Sequence, residues 1–369
     1  MIFFARSFVA DLDGRLSKYF AALDAAGLAY HFIGWNKDGS AGSDIGRQTL
    51  FPLKAALGGG WRNAVALLRF NVFLFCALWR ARRSVQVVHA VDLDCAVTSW
   101  AFCKIFRKRL VFDIYDKYTA VRNISGFAGK VLDTVERSIG KSADLTLIVS
   151  EDRFVQHGFT PAQKNVRILE NVPATILVEV TDRAHSAPPW QIGYFGVLER
   201  RHRGLEDLLA ACAGRSEVEL HVAGYGSLAD TFEAAARKFQ NVSFYGAMQS
   251  SEGLALMAKM DVLVGMYYLT VPNHAFASPN KYYEHLKLRR GMLSTAGTPP
   301  AAKIVAQGSG WAIGEGTAAI ASWLDSLDEI QILAAGWQAG RVWDEKFSSY
   351  YLTHYQGLYV TCIKELLEK

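Results

Sequence analysis

Short apolar runs at 1–5, 29–34, 85–89, 109–114, 144–149 and 166–169 predict strands. Between them lie stretches with a helical period of apolar positions, such as 15–26 and 127–140. Strands alternating with helices predict a mostly parallel sheet covered on both faces. A polar, Pro-rich stretch from Thr181 to Pro189 interrupts the alternation and reads as a linker. The pattern then restarts. Strands at 191–195, 218–223, 242–245, 261–266 and 291–295 alternate with helices at 204–213, 228–239, 251–259 and 279–288. Trp343, Phe347, Tyr350, Tyr351, Leu358, Cys362 and Leu366 form one stripe of a closing amphipathic helix over 342–367. The predicted fold class is α/β: two Rossmann-like, doubly wound parallel-sheet domains, 1–183 and 184–345, followed by a terminal helix, 346–369. Two such domains imply a cleft, with ligands beyond the carboxyl ends of the strands.

Composition sharpens this picture in three ways. The chain has 369 residues, 51% hydrophobic and 20% charged, enough for two buried cores and against global disorder. Its net charge of +5 is uneven. Residues 1–190 hold 24 Lys and Arg against 17 Asp and Glu, and the remainder 16 against 18, so the first half suits an anionic partner. The five cysteines, Cys76, Cys95, Cys103, Cys212 and Cys362, include no CxxC pair, which disfavours a disulfide framework or structural zinc and fits a reducing cytoplasm. The apolar N-terminus is too short for a signal peptide and reads as a first strand.

Residues 64–79 are nearly continuously apolar but carry Arg69 and Asn71, and at sixteen residues fall short of the ~20 that a spanning helix needs. A partly buried helix and an in-plane membrane helix are both consistent with them. From Ile45 to Val91 there is no acid, while Arg47, Lys54, Arg62, Arg69, Arg80, Arg82 and Arg83 are present. Segment 45–91 is therefore a candidate contact with an anionic membrane surface. Nucleic acid is not an expected partner.

Three stretches carry candidate chemistry. In 276–286, Ser278 reads as an N-cap and Pro279 as the first helical residue, followed by Asn280, Lys281 and Glu284. Such a helix start can hold a phosphate, with Lys281 adding charge and Glu284 within reach of ribose hydroxyls. In 194–209, a strand ending in Gly196 leads into Arg200, Arg201, His202 and Arg203, suited to phosphate. In 221–232, Gly224 and Gly226 precede a helix capped by Ser227, but Ala229 stands where a dinucleotide fingerprint has its third Gly, and no acid ends the next strand, so NAD is disfavoured. All three lie at strand ends of one domain, where a diphosphate carrying a ribose is the economical ligand. Asp92 and Asp94 have a spacing that can hold a metal, but also suit a helix start; no metal site is expected.

The second half resembles the donor domain of glycosyltransferase family 4, of GT-B architecture. The resemblance rests on Gly193-Tyr194-Phe195-Gly196, the basic residues before Gly204, Ala223-Gly224-x-Gly226, Asn241-Val242-x-Phe244-x-Gly246, Ala258-x-x-Asp261-Val262 and Ser278-Pro279-Asn280-Lys281-x-x-Glu284. The first half matches more loosely, through Asp13-x-Arg15, Val88-His89-Ala90, Leu110 to Asp113 with Asp116, Glu136, and Ala143-Asp144 with Val149-Ser150. Phe276 replaces the first of two glutamates common in the family, and Tyr115 replaces a histidine. The match is to the subgroup frequent among polysaccharide and lipopolysaccharide assembly enzymes. The resemblance implies transfer of a sugar from a UDP- or GDP-sugar, with retention and without a cofactor, to a lipid-linked or oligosaccharide acceptor. It assigns Arg201, Arg203 and Lys281 to the leaving diphosphate and Gly196, Arg200, Gly224, Gly226, Ser278, Asn280 and Glu284 to the donor. Asp13, Arg15, His89, Asp92, Tyr115 and Asp116 become acceptor-side candidates. The closing helix, with Trp343 and Tyr355, resembles one that returns to the first domain. A GT-B sugar-nucleotide epimerase or hydrolase that needs no acceptor is the rival enzyme, and the inner face of the cytoplasmic membrane is the expected location.

Overall fold

The computed structural model describes residues 1–10, 13–37, 46–55, 61–173 and 187–369. Most of the expected linker, 181–186, and the start of the basic segment, Ile45, lie outside these residues. The chain divides into two compact units, one of Met1–Glu170 with Tyr350–Lys369, the other of Asn171–Ser349.

The first unit holds seven parallel strands in the order β3-β2-β1-β4-β5-β6-β7. They are β1 (Ile2–Arg6), β2 (Tyr30–Asn36), β3 (Gln48–Pro52), β4 (Val87–Val91), β5 (Arg109–Ile114), β6 (Leu145–Ile148) and β7 (Val166–Ile168). The strand order reverses between β1 and β4. Strands β1, β4, β5 and β6 are buried and mostly apolar because helices cover both faces, with His89, Asp113 and Thr146 as buried polar exceptions. β3 was not expected from the sequence: it is an edge strand, half-exposed, polar at Gln48 and closed by Pro52, so it lacks the apolar run of a central strand.

The apolar stretch forms the helix Trp61–Arg80, longer than the run that suggested it. By length and composition its Arg62–Arg80 portion could cross a membrane, yet one stripe of it, Ala66, Phe70, Leu74 and Leu78, packs into the sheet's core. The opposite stripe, Val65, Leu68, Val72 and Trp79, is apolar and exposed.

The terminal segment differs from its expected pattern. Residues Trp343–Phe347 and Tyr351–Tyr359 wind in wide, π-type turns before a regular helix over Val360–Glu368. The wider turns rotate the buried face, so Tyr355, Tyr359 and Ile363 are buried while Leu358 and Cys362 are only half-buried.

A charged network pins that helix to the first sheet. The Arg15 guanidinium donates to both carboxylate oxygens of Asp113, at 3.1 and 3.0 Å, and to the Leu169 carbonyl at 2.6 Å. The Tyr19 hydroxyl donates to Asp113 at 2.7 Å, and the Nδ1 of His89 lies 2.9 Å from the Tyr359 hydroxyl. Burial alone would raise the Asp113 pKa, but Arg15 and His89 hold it well below the usual carboxylate range.

The second unit holds six parallel strands in the order β10-β9-β8-β11-β12-β13. They are β8 (Trp190–Val197), β9 (Val218–Tyr225), β10 (Val242–Phe244), β11 (Val262–Gly265), β12 (Gly291–Thr295) and β13 (Gly310–Ile313). The order reverses between β8 and β11, the point at which such sheets take ligands. Ile192, Leu220, Val222, Val262 and Leu293 form the core with Leu208, Phe232 and Trp323 from the covering helices.

Arg15→Met leaves the Asp113 charge buried and uncompensated, which should cost the first unit ~3–5 kcal/mol. Tyr359→Phe, which loses one hydrogen bond, should cost about 1 kcal/mol. Urea unfolding followed by far-UV circular dichroism reads both; equal, small effects would show that the network does not hold the terminal helix.

Candidate functional site

The second unit's switch point is built from main chain first. β8 and β9 run so close that Gly196 pairs with Gly224, and a Cβ at Gly224 would fall 1.8 Å from the Gly196 carbonyl oxygen. A Cβ at Gly226 would fall 2.5 Å from the Leu198 carbonyl oxygen. Both glycines have φ +145°, a conformation L side chains rarely adopt. Their immediate reason is therefore strand-to-strand approach, which shapes the floor on which a ligand would rest. Ser227 does not cap the following helix, whose cap is Leu228. Its hydroxyl instead donates to the Leu198 carbonyl and accepts from the Arg200 amide, each at 3.3 Å, tying the 198–200 loop to β9.

The helix expected from Pro279 starts one residue later, as Asn280–Lys287. Pro279, with extended φ and ψ, occupies the cap position expected of Ser278. The shift makes Asn280 and Lys281 the first two helical residues. The Lys281 ammonium donates to the Phe195 carbonyl, lies 4.1 Å from the centroid of the Tyr194 ring, and sits where a Cβ on Gly196 would come within 3.0 Å. Burial pushes its pKa down to about 8, with Glu284 opposing and Arg203 adding to the fall.

Arg203 donates to Glu199 at 3.0 Å and lies 4.9 Å from the centroid of the Tyr267 ring. Burial works against its charge, but Tyr267, Tyr194 and Glu199 raise its pKa above the ordinary arginine value. Arg200 and Arg201 are exposed. Glu206 accepts from the Arg201 amide at 2.7 Å and lies 3.7 Å from the Arg200 guanidinium. Arg201 holds φ +63°, a strained conformation for a side chain with a Cβ. The structure thus brings Gly196, Lys281, Glu284 and Arg203 together, with Arg200 and Arg201 on the loop beside them. Tyr194 and Tyr267 were missed: each sits in a strand-end pattern read for its glycine or its apolar run, and nothing in spacing marks a ring as the bed of a cation.

The first unit's switch point holds a second cluster. Asp13 caps the helix Gly14–Ala25, accepting from the amides of Arg15 and Leu16, and pairs with Arg6 at 3.0 Å. Arg6 also pairs with Asp92 and lies 4.3 Å from the centroid of the Tyr115 ring. The Tyr115 amide donates to Asp92 at 2.9 Å. Burial pushes the Asp92 pKa up to about 6, against Arg6 and with Asp116 and Asp94. Asp94 accepts from Arg122 at 2.7 and 2.8 Å and from Ser7 at 2.8 Å. Asp116, half-exposed, accepts from Arg153 at 2.8 Å. Asp92 and Asp94 open a helix, Asp92–Phe106, and each is already matched by a guanidinium. No group of His, Cys, Asp and Glu among the described residues is arranged to hold a metal ion. Arg15 and His89, by contrast, are fully enclosed in the Asp113 network and present no free edge here.

Two Rossmann-like parallel-sheet units of this order are the GT-B architecture. No protein-family model matches the chain, and no curated protein matches it. Solved structures do. A sucrose-phosphate synthase from Thermosynechococcus elongatus is 16% identical, with 99% of this chain and 100% of that one covered and a TM-score of 0.75. HepE of Anabaena, solved with UDP and glucose, is 12% identical over 99% of this chain and 100% of its own, with a TM-score of 0.67. The lipopolysaccharide outer core galactosyltransferase WaaB is 15% identical over 99% of each chain, with a TM-score of 0.62. At these identities the likeness is one of fold.

Proposed function

We propose that this chain is a glycosyltransferase that moves a sugar from a nucleoside-diphosphate sugar to a lipid-linked or oligosaccharide acceptor, with the donor in the second unit and the acceptor in the first. The observation that carries this reading is the Lys281 ammonium, buried over Gly196 at the strand-order reversal with Arg203 near it. A buried cation gains most from an anion that can share its desolvated space. HepE, of the same fold, is solved with UDP, which supports a uridine or similar diphosphate here.

In the reaction the acceptor hydroxyl oxygen forms the new bond to the anomeric carbon. The bond from that carbon to the diphosphate oxygen breaks, and the hydroxyl proton leaves with the diphosphate. Negative charge grows on the leaving oxygen, so cations fixed beforehand lower the barrier. Lys281, Arg203 and Arg201 supply them, so no resident metal or cofactor is invoked. Glu284 accepts from the ribose hydroxyls, with Gly196, Gly224, Gly226, Ser278, Asn280 and Arg200 around the donor. Asp13, Asp92, Tyr115 and Asp116 flank the acceptor. Arg15 and His89 act at one remove, by holding the sheet ends that carry these groups.

The exposed stripe of the helix Trp61–Arg80 and the basic residues around it support attachment to the inner face of the cytoplasmic membrane in this reading. Each basic side chain near an anionic surface adds ~1 kcal/mol. The protein should float with anionic vesicles at low salt and be released at high salt. Absence from the vesicle fraction at low salt would contradict membrane attachment.

Lys281→Ala should lower the catalytic constant roughly 10- to 100-fold, since a charge-assisted hydrogen bond is worth about 1.5–3 kcal/mol and ~1.4 kcal/mol is tenfold. Glu284→Gln should raise the donor's Michaelis constant more than it slows turnover, because the ribose does not change in the reaction. Lys281 loses its proton as pH rises through about 8. Affinity for UDP should therefore fall above that pH in the parent protein, but not in Lys281→Arg, whose guanidinium stays charged. Calorimetric titration of UDP checks all three proteins; unaltered affinity in folded Lys281→Ala and Glu284→Gln would show that the donor sits elsewhere.

A further inference from the structure

The first unit contains a cavity of about 1030 Å³ whose lining is largely apolar, with polar and charged side chains among it. Much of its wall is apolar, supplied by Leu67, Leu68, Leu93, Val97, Ile124 and Leu132. The polar side chains on that wall are already satisfied. Asn71 donates to the carbonyls of Leu67 and Asp94, each at 2.9 Å, and accepts from Thr98 at 2.6 Å. A guest there meets hydrocarbon. The cavity adjoins a polar annex of about 220 Å³, to which Arg6, Asp92 and Asp116 belong alone, while Ser7, Lys37, Asp94, Tyr118, Val121 and Arg122 line both spaces.

Three features say what shape of molecule fits. The annex has the volume scale of a single sugar ring and holds carboxylates and cations, the groups that take paired hydroxyls. Its Lys37 ammonium lies 5.0 Å from the centroid of the Trp35 ring and makes no ion pair among the described residues. The apolar chamber is open at its rim, where Leu68, Val97 and Val121 are 64%, 45% and 53% exposed. A small, wholly polar acceptor would leave that rim and the chamber unfilled, whereas a hydrocarbon chain covers both. The helix that forms the wall also carries the exposed stripe Val65, Leu68 and Val72, so the chamber opens onto the same apolar surface.

We propose that this two-part cavity is the acceptor site and that it takes one amphiphile, with a hydroxyl-bearing sugar head in the annex and a hydrocarbon tail in the chamber. The inference rests on the glycosyltransferase reading for the word acceptor, and on the cavity alone for the binding. It narrows the acceptor to a glycolipid and assigns tail recognition to Leu68 and Val97 and head recognition to Asp92, Asp116 and Lys37. A glycolipid delivered this way would come from a reaction that places a first sugar on a lipid carrier.

The test uses the full chain and three monomeric probes, butyl, hexyl and octyl β-D-glucoside, each below its micelle concentration, titrated calorimetrically beside UDP. Affinity should rise about fourfold per methylene if the tail is buried, and glucose alone should give no measurable heat. Leu68→Asp and Val97→Asp, both at exposed positions that leave the core intact, should weaken octyl glucoside at least tenfold and leave UDP unchanged. Equal binding of the three glucosides, or rim variants without effect, would overturn the proposal while UDP binding left the donor reading standing. Chain-length dependence with no UDP binding would do the reverse: the cavity would hold and the glycosyltransferase reading would fall.

Discussion

A buried ammonium is costly unless an anion shares its space, and Lys281 is such a group. It lies at the start of a helix, against a carbonyl and an aromatic face, above a glycine that has no side chain to shield it. Burial pushes its pKa down to about 8, against the pull of Glu284. Helix, strand end and glycine pair all serve to fix this one charge. Moving any of them would let the ammonium reach water, where its attraction for phosphate is much weaker.

The first unit offers the contrast. Arg15 and Asp113 are more deeply buried still, but they satisfy each other through two hydrogen bonds, with Tyr19, His89 and the Leu169 carbonyl taking up what remains. That is a closed network, whose work is to fasten the terminal helix. Around it lies a looser set, Arg6, Asp92, Asp94, Asp116 and Lys37, facing the polar annex. The closed network holds the fold, whereas the carboxylates of the looser set are paired by single guanidinium contacts around a space a ligand can enter.

Much of this was legible in the sequence because it follows from local chemistry. The strand runs, the Gly224 and Gly226 turn and the Pro279-Asn280-Lys281 start each reflect a constraint within a few residues. The helix start moved by one position because Pro279, with no amide hydrogen to satisfy, serves as cap as readily as first residue. What stayed hidden depends on contacts between distant segments. Tyr194 and Tyr267 gain meaning only when a cation settles on them. Arg6 ends a strand like any basic residue until Asp13, Asp92 and Tyr115 converge on it. Arg15 and His89 sit in motifs that suggest ligand contact, yet Asp113, on a different element from either, encloses both. The stripe along 342–367 was displaced because wide turns change the period that sequence reading assumes.

Hydrogen–deuterium exchange with and without UDP tests the placement of the donor most directly, since it reports on backbone amides along the whole chain. If the diphosphate rests over Gly196 beneath Lys281, exchange should slow in the segments 195–204, 223–228 and 278–286, and the first unit's β1 and β4 ends should be unaffected. Protection confined to the first unit, or none at saturating UDP, would contradict it.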